Sequence, residues 1–204
     1  MPENIEIGLT QFIDFTLKQG ASRISFVRQV RDQTDYHPGK DFWKELRDAI
    51  KQFHENGYSP DFLDSIVSKV HDRKKMHYAE AIKQYKKFCR NKQIEWFEPG
   101  RSHWVSNGLY VRSSPEVGLI VNGSPYLVKL YFKEHSEKLD KRKTSTILTL
   151  LSESTFSNPR DSAVQAVLNV KKAQLFPRPD AITRDMKLSL EAEAQQFAYI
   201  WNNL

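Results

Sequence analysis

The stretch that most constrains the fold is Gly108 to Phe132, GLYVRSSPEVGLIVNGSPYLVKLYF, where apolar residues are densest. Asn122-Gly123 lies between two apolar runs, and asparagine followed by glycine accepts the positive φ angles of a two-residue hairpin turn. Two antiparallel strands are therefore predicted. The second, Tyr126 to Phe132, is apolar at every position except Lys129. Both of its faces must then be covered, which places it near the centre of a sheet packed by helices. A single lysine in such a strand is a candidate functional residue.

Before this stretch the apolar spacing is helical. Leu9, Phe12, Ile13, Thr16 and Leu17 form a stripe between Asn4, a suitable N-cap, and Gly20, a suitable stop. Ser22 to Tyr36 fits a short helix or a strand, the helix being favoured. After Pro38-Gly39, the residues Phe42, Trp43, Leu46, Ala49, Ile50 and Phe53 predict an amphipathic helix that stops at Gly57. Ser59-Pro60 starts the next, with Leu63, Ile66, Val67 and Val70 on its inner stripe. The segment HDRKKMH then reads as a linker, longer than the turn of a helix-turn-helix. A last N-terminal helix, Tyr78 to Asn91, turns Ala79, Ile82, Tyr85 and Cys89 inward and Lys83, Lys86, Lys87 and Arg90 outward. Trp96 and Phe97 are expected to plug the junction between helices and sheet, although Trp96 and Trp104 also have the chemistry to stack on a base.

Beyond His103 the period shifts from 3.6 toward 2. Ile147, Leu148, Leu150 and Leu151 mark a helix, and Ala163 to Val170 a second doubly covered strand, with Ser152 to Ser162 as the loop between them. Strand, helix and strand in this order fit a right-handed crossover between parallel strands. Leu190, Ala194, Phe197, Ala198 and Trp201 form the stripe of a final helix, Met186 to Trp201. The predicted class is α+β: a mainly helical region, residues 1–100, packed on an α/β region with a mixed sheet, residues 101–204. No Gly/Ser-rich linker separates the two, so one compact body is expected.

The net charge of +6 is concentrated. Between Ile66 and Lys92 stand Lys69, Arg73, Lys74, Lys75, Lys83, Lys86, Lys87, Arg90 and Lys92 against Asp72 and Glu80, a local balance of +7. Such a window can hold a polyanion by counterion release; the ordinary alternative is a solvated helical face. A second basic group, Lys138, Lys141, Arg142 and Lys143, precedes the predicted helix around Ile147, whose N-terminus favours anions. The candidate partners are thus nucleic acid or an acidic protein.

Several chemistries are disfavoured. There is no GxGxxG, no GxxxxGK[ST] and no GxSxG; the six histidines include no HxxxH pair, so neither a metal nor a nucleotide cofactor is expected. The lone cysteine, Cys89, lies on an apolar helical stripe, where it reads as a small hydrophobe. With one cysteine, no basic and apolar leader at the N-terminus and no apolar run of about 18 residues, the expected compartment is the reducing cytoplasm.

Two resemblances add to this reading. The order of hairpin, central strand carrying Lys129, helix and parallel strand is similar to the core of the restriction-endonuclease-like nucleases. That resemblance implies an acid at the second strand and an acid-x-lysine pair on the third, holding magnesium and positioning the attacking water. Glu116 and Lys129 occupy matching places, but the position two before Lys129 is Leu127. The central acid is therefore missing, and the resemblance implies a binding scaffold more than cleavage. The segments SPEVGLIVNGSPYLVKLYFK, LDKRK, AVLNVKKAQLF and LEAEAQQFAYIW also resemble a group of conserved hypothetical bacterial proteins, which implies a bacterial, cytosolic origin. The expected function is non-catalytic nucleic-acid binding. The alternatives are a divergent magnesium-dependent nuclease using Glu116 and Lys129, or a protein-interaction module of a bacterial defence or stress system.

Overall fold

Asn122 and Gly123 adopt φ angles of 49° and 84°, as a turn of the predicted type requires, and close a hairpin between β5 (Val117–Val121) and β6 (Ser124–Tyr131). The computed structural model describes residues 5–33, 41–132, 141–157 and 162–204, with the side chains of 141–143 excepted. A second Asn-Gly turn, Asn107 and Gly108 with φ of 51° and 77°, joins β3 (Ser102–Ser106) to β4 (Leu109–Arg112).

These hairpins belong to different sheets, whereas a single mixed sheet was the expectation. The five-stranded sheet has the order β2 (Ile94–Phe97), β5, β6, β8 (Val164–Asn169), β9 (Gln174–Pro177). Its centre is β6, antiparallel to β5 and parallel to β8, and between β6 and β8 the chain runs through helix α6 (Lys141–Glu153). The four-stranded sheet has the order β1 (Ile5–Gly8), β4, β3, β7 (Thr155–Phe156). Strand β1, inside the predicted first helix, pairs in parallel with β4. Its burial alternates, Ile5 and Ile7 in and Glu6 out, and this period-2 signal was overridden in the sequence by the stronger stripe from Leu9 onward. Helix α1 is accordingly shorter than predicted (Leu9–Thr16), begins after Gly8, and leaves Asn4 outside the described residues. Strand β7 lies within the predicted loop after α6.

The remaining helices are α2 (Ala21–Arg31), α3 (Lys44–Glu55), α4 (Pro60–Lys69), α5 (Asp72–Cys89) and α7 (Arg184–Asn202). Helix α5 starts six residues earlier than predicted: His71 Nδ1 accepts the Arg73 N–H at 3.3 Å, and Asp72 sits favourably in the first turn. The expected linker is therefore the first part of α5, and α4 and α5 are joined by Val70 and His71 alone. The connection is thus shorter, not longer, than the usual turn of a helix-turn-helix, and its length still does not match that motif.

Two cores flank the central sheet. Val128 and Leu130 of β6, with Val117, Leu119, Ala166 and Leu168, pack against α3, α4 and α5 through Leu46, Ile50, Leu63, Tyr78, Ile82 and Tyr85. From the opposite face, Val167 and Tyr131 join a core formed by α1, α2, α6, α7 and the inner face of the four-stranded sheet. Side chains alternate along a strand, so Lys129 shares the Tyr131 face, between the two sheets. The α+β class holds.

Candidate functional site

At the carboxyl ends of β1, β4 and β6 the space between the sheets opens into a cleft of about 730 Å³, lined by Gly8, Arg112, Glu116 and Lys129 among others. Lys129 donates from Nζ to Glu116 Oε1 at 2.5 Å and to the Ser114 carbonyl at 3.1 Å. The other oxygen of Glu116 accepts the Leu130 backbone N–H at 2.8 Å. Arg47 Nε stands 4.0 Å from Glu116 Oε1 and the same guanidinium pairs with Asp41. With the two side chains 18% and 16% exposed, this is a mostly desolvated ion pair whose acceptor is occupied on both oxygens. Such a pair holds β6 to the segment before β5, because a carboxylate at this depth without its ammonium would be strongly unfavourable.

The register explains why the pair forms. Val117 faces Val128, so Glu116 and Lys129 are the next positions along the same antiparallel ladder. Leu127 is buried, 4% exposed. Among the described residues no three His, Cys, Asp or Glu side chains converge as a metal site would require.

The basic window sorts into two groups. Lys74 is 4% exposed, and its ammonium donates to both oxygens of Glu45 at 2.7 and 3.0 Å while lying over the rings of Phe42 and Tyr78. It ties α5 to α3 and is no part of an outward face, contrary to the sequence reading. Burial raises the Glu45 carboxyl pKa, but the hydrogen bonds from Lys74, the backbone and Tyr78 outweigh it and hold it below the ordinary value. Lys75 pairs with Asp72 at 2.8 Å, and Lys86 pairs with Asp64 of α4. Lys92 turns back onto the Phe88 carbonyl and ring.

Arg73, Lys83, Lys87 and Arg90 are exposed and, among the described residues, have no carboxylate partner. Their spacing of ten, four and three residues keeps them on one side of α5, opposite the buried Tyr78, Ala81, Ile82, Tyr85 and Phe88. Met76, 73% exposed, and Glu80 lie on the same stripe. Ala79, expected inward, is exposed, because Tyr78 and Phe88 take the inner face instead. Lys69, at the C-terminus of α4 and also unpaired among the described residues, stands three residues before α5 begins.

A contribution that the sequence reading missed is the turn Val170–Lys172, which follows β8 and packs against α5. Asn169 fixes it by accepting the Lys172 N–H at Oδ1, 3.1 Å away, and Ala173 ends it in the left-handed region with φ 53°. The buried Nδ2 of Asn169 has no partner among the described residues. Lys171 and Lys172 are thereby carried to the α5 side of the sheet, a proximity that only the β6–β8 pairing creates. Of the second basic group, Lys138 lies outside the described residues; Lys141, Arg142 and Lys143 form the first turn of α6.

The cysteine and the aromatic candidates resolve as packing. Burial pushes the Cys89 thiol up to about 12, which removes it from nucleophilic chemistry near neutral pH. Trp104 is 6% exposed and packs on Phe12, so it is not available to a base; Trp96 is half-buried with Lys51 above its ring. No helix among the described residues is long and apolar enough to cross a membrane. Compared with known proteins, the chain matches no protein-family model and no curated protein sequence.

Proposed function

We propose that this protein binds nucleic acid without cleaving it, and that the contact surface is the outer face of α5 with Lys69 on one flank and the Lys171–Lys172 turn on the other. The observation that carries the reading is the sorting of cations just described. Lys74, Lys75 and Lys86 have carboxylate partners, while Arg73, Lys83, Lys87 and Arg90 on one helix face have none among the described residues. An exposed cation with a local carboxylate partner has less to gain from a phosphate than one without. The acidic-protein alternative would use the same face.

The nuclease alternative draws support from the strand order β2–β5–β6–β8 and from the meeting of Glu116 and Lys129. Against it stand Leu127 in place of the acid and a Glu116 carboxylate already engaged by Lys129 and the Leu130 N–H. Titrating labelled nucleic acid at low and at near-physiological salt tests the main reading, and absence of binding at low salt refutes it. Cleavage with magnesium or manganese that is abolished by Glu116→Ala would establish the alternative.

A further inference from the structure

Resting on that reading, we infer that the partner is a double helix, held through its phosphates, and that single strands are the poorer ligand. The stripe from Arg73 to Lys87 is carried by one uninterrupted helix that Arg90 caps, so the Cα positions from Arg73 to Arg90 span about 26 Å at 1.5 Å per residue. That helix is anchored along its length by Tyr78, Ala81, Ile82, Tyr85 and Phe88, all 0 to 2% exposed. The flanking turn is held by the Asn169 cap. A straight helix carrying a row of cations complements a phosphate array that is itself rigid, because neither backbone then has to be ordered on contact and only the lysine and arginine side chains lose freedom. Duplex DNA presents about one phosphate per 1.7 Å of axis.

A single strand has no such order and must be fixed on binding. Proteins that accept it recover that loss by stacking bases on exposed aromatic rings, each stacked base contributing about five- to 150-fold in affinity. The stripe offers no ring for this. The three aromatic side chains of α5 point into the core, His77 is half-buried against Phe42, and the exposed large aromatics among the described residues, Tyr58 and Tyr199, belong to the α3–α4 connection and to α7. Met76 is the exposed apolar residue on the stripe, and it has no π face.

The test is fluorescence anisotropy with the full chain and a labelled 20-base-pair DNA duplex, alongside each of its strands alone, at several salt concentrations from 50 to 200 mM. The duplex is expected to bind at least tenfold more tightly than either strand at 50 mM, and Lys171→Gln with Lys172→Gln to lower the duplex salt slope by about 2. A strand bound within tenfold of the duplex, or more tightly, overturns the inference while leaving nucleic-acid binding intact. No binding of either form at 50 mM refutes the underlying reading itself, and the inference with it.

Discussion

Neutralising Lys83, Lys87 and Arg90 together, as Lys83→Gln, Lys87→Gln and Arg90→Gln, is the most informative perturbation. All three are exposed and none has a carboxylate partner among the described residues, so their loss leaves no buried or orphaned charge and the fold should be unaffected. Among the described residues, the cations of this contact surface without a carboxylate partner are Lys69, Arg73, Lys83, Lys87, Arg90, Lys171 and Lys172. If each meets one phosphate of B-form DNA, log K falls against log salt with a slope of about −6.3, so affinity drops about 6,000-fold between 50 and 200 mM. With four contacts left the slope is about −3.6 and the same salt change costs only about 150-fold. The readout is the slope from anisotropy titrations, which is less sensitive than a single Kd to the active fraction of protein. The control is Lys18→Gln, Lys51→Gln and Lys187→Gln, with the same change in net charge but cations in the α1–α2 connection, on α3 and on α7. Equal flattening of the slope by both triple variants, or by neither, refutes the assignment of the contact to α5.

Three further outcomes follow from the packing. Lys129→Met removes the nearer cation from Glu116, leaving the carboxylate between the sheets with Arg47 at 4.0 Å and the Leu130 N–H, and should destabilise the fold by about 2–4 kcal/mol, whereas Lys129→Met with Glu116→Gln should recover much of that loss; a denaturant double-mutant cycle measures the coupling. The His54 pKa is lowered to about 4 by burial, and its Nε2 shares a 2.6 Å hydrogen bond with the fully buried Tyr85 hydroxyl. The unfolded chain binds this proton near pH 6.5 and the folded chain does not, so the contribution is complete above pH 6.5 and is lost progressively as pH falls toward 4, by up to about 3 kcal/mol. His54→Gln should flatten that part of the stability profile in pH-dependent urea melts, and an unchanged profile would contradict the assignment. In β5, a Cβ at Gly118 would lie 2.4 Å from the Phe97 carbonyl oxygen and 2.8 Å from its ring, so Gly118→Ala should lower the unfolding free energy from urea melts by about 1–3 kcal/mol or more, or uncouple β2 from the sheet, visible as lost amide protection at Ile94–Phe97.

What the sequence determined by itself is local. Asn122-Gly123 dictates a hairpin because few residue pairs tolerate two positive φ angles, and Asn107-Gly108 carries the same chemistry. The stripes of α3 and α7 and the Ser59-Pro60 start of α4 needed no partner to be recognised, since a 3.6-residue period and an N-terminal proline declare themselves within one segment. The tertiary structure decided everything that depends on who lies beside whom. It divided the strands between two sheets, because β1 acquires its meaning only through pairing with β4, about a hundred residues away. It also separated like residues of one basic window: Lys74 is indistinguishable from Lys83 in sequence, yet Glu45, Phe42 and Tyr78 close around the first while solvent surrounds the second. Charge is a property of the residue, but availability is a property of its neighbours, and the neighbours of Lys74 and of the Lys171–Lys172 turn come from distant segments that only the packed sheet brings to α5.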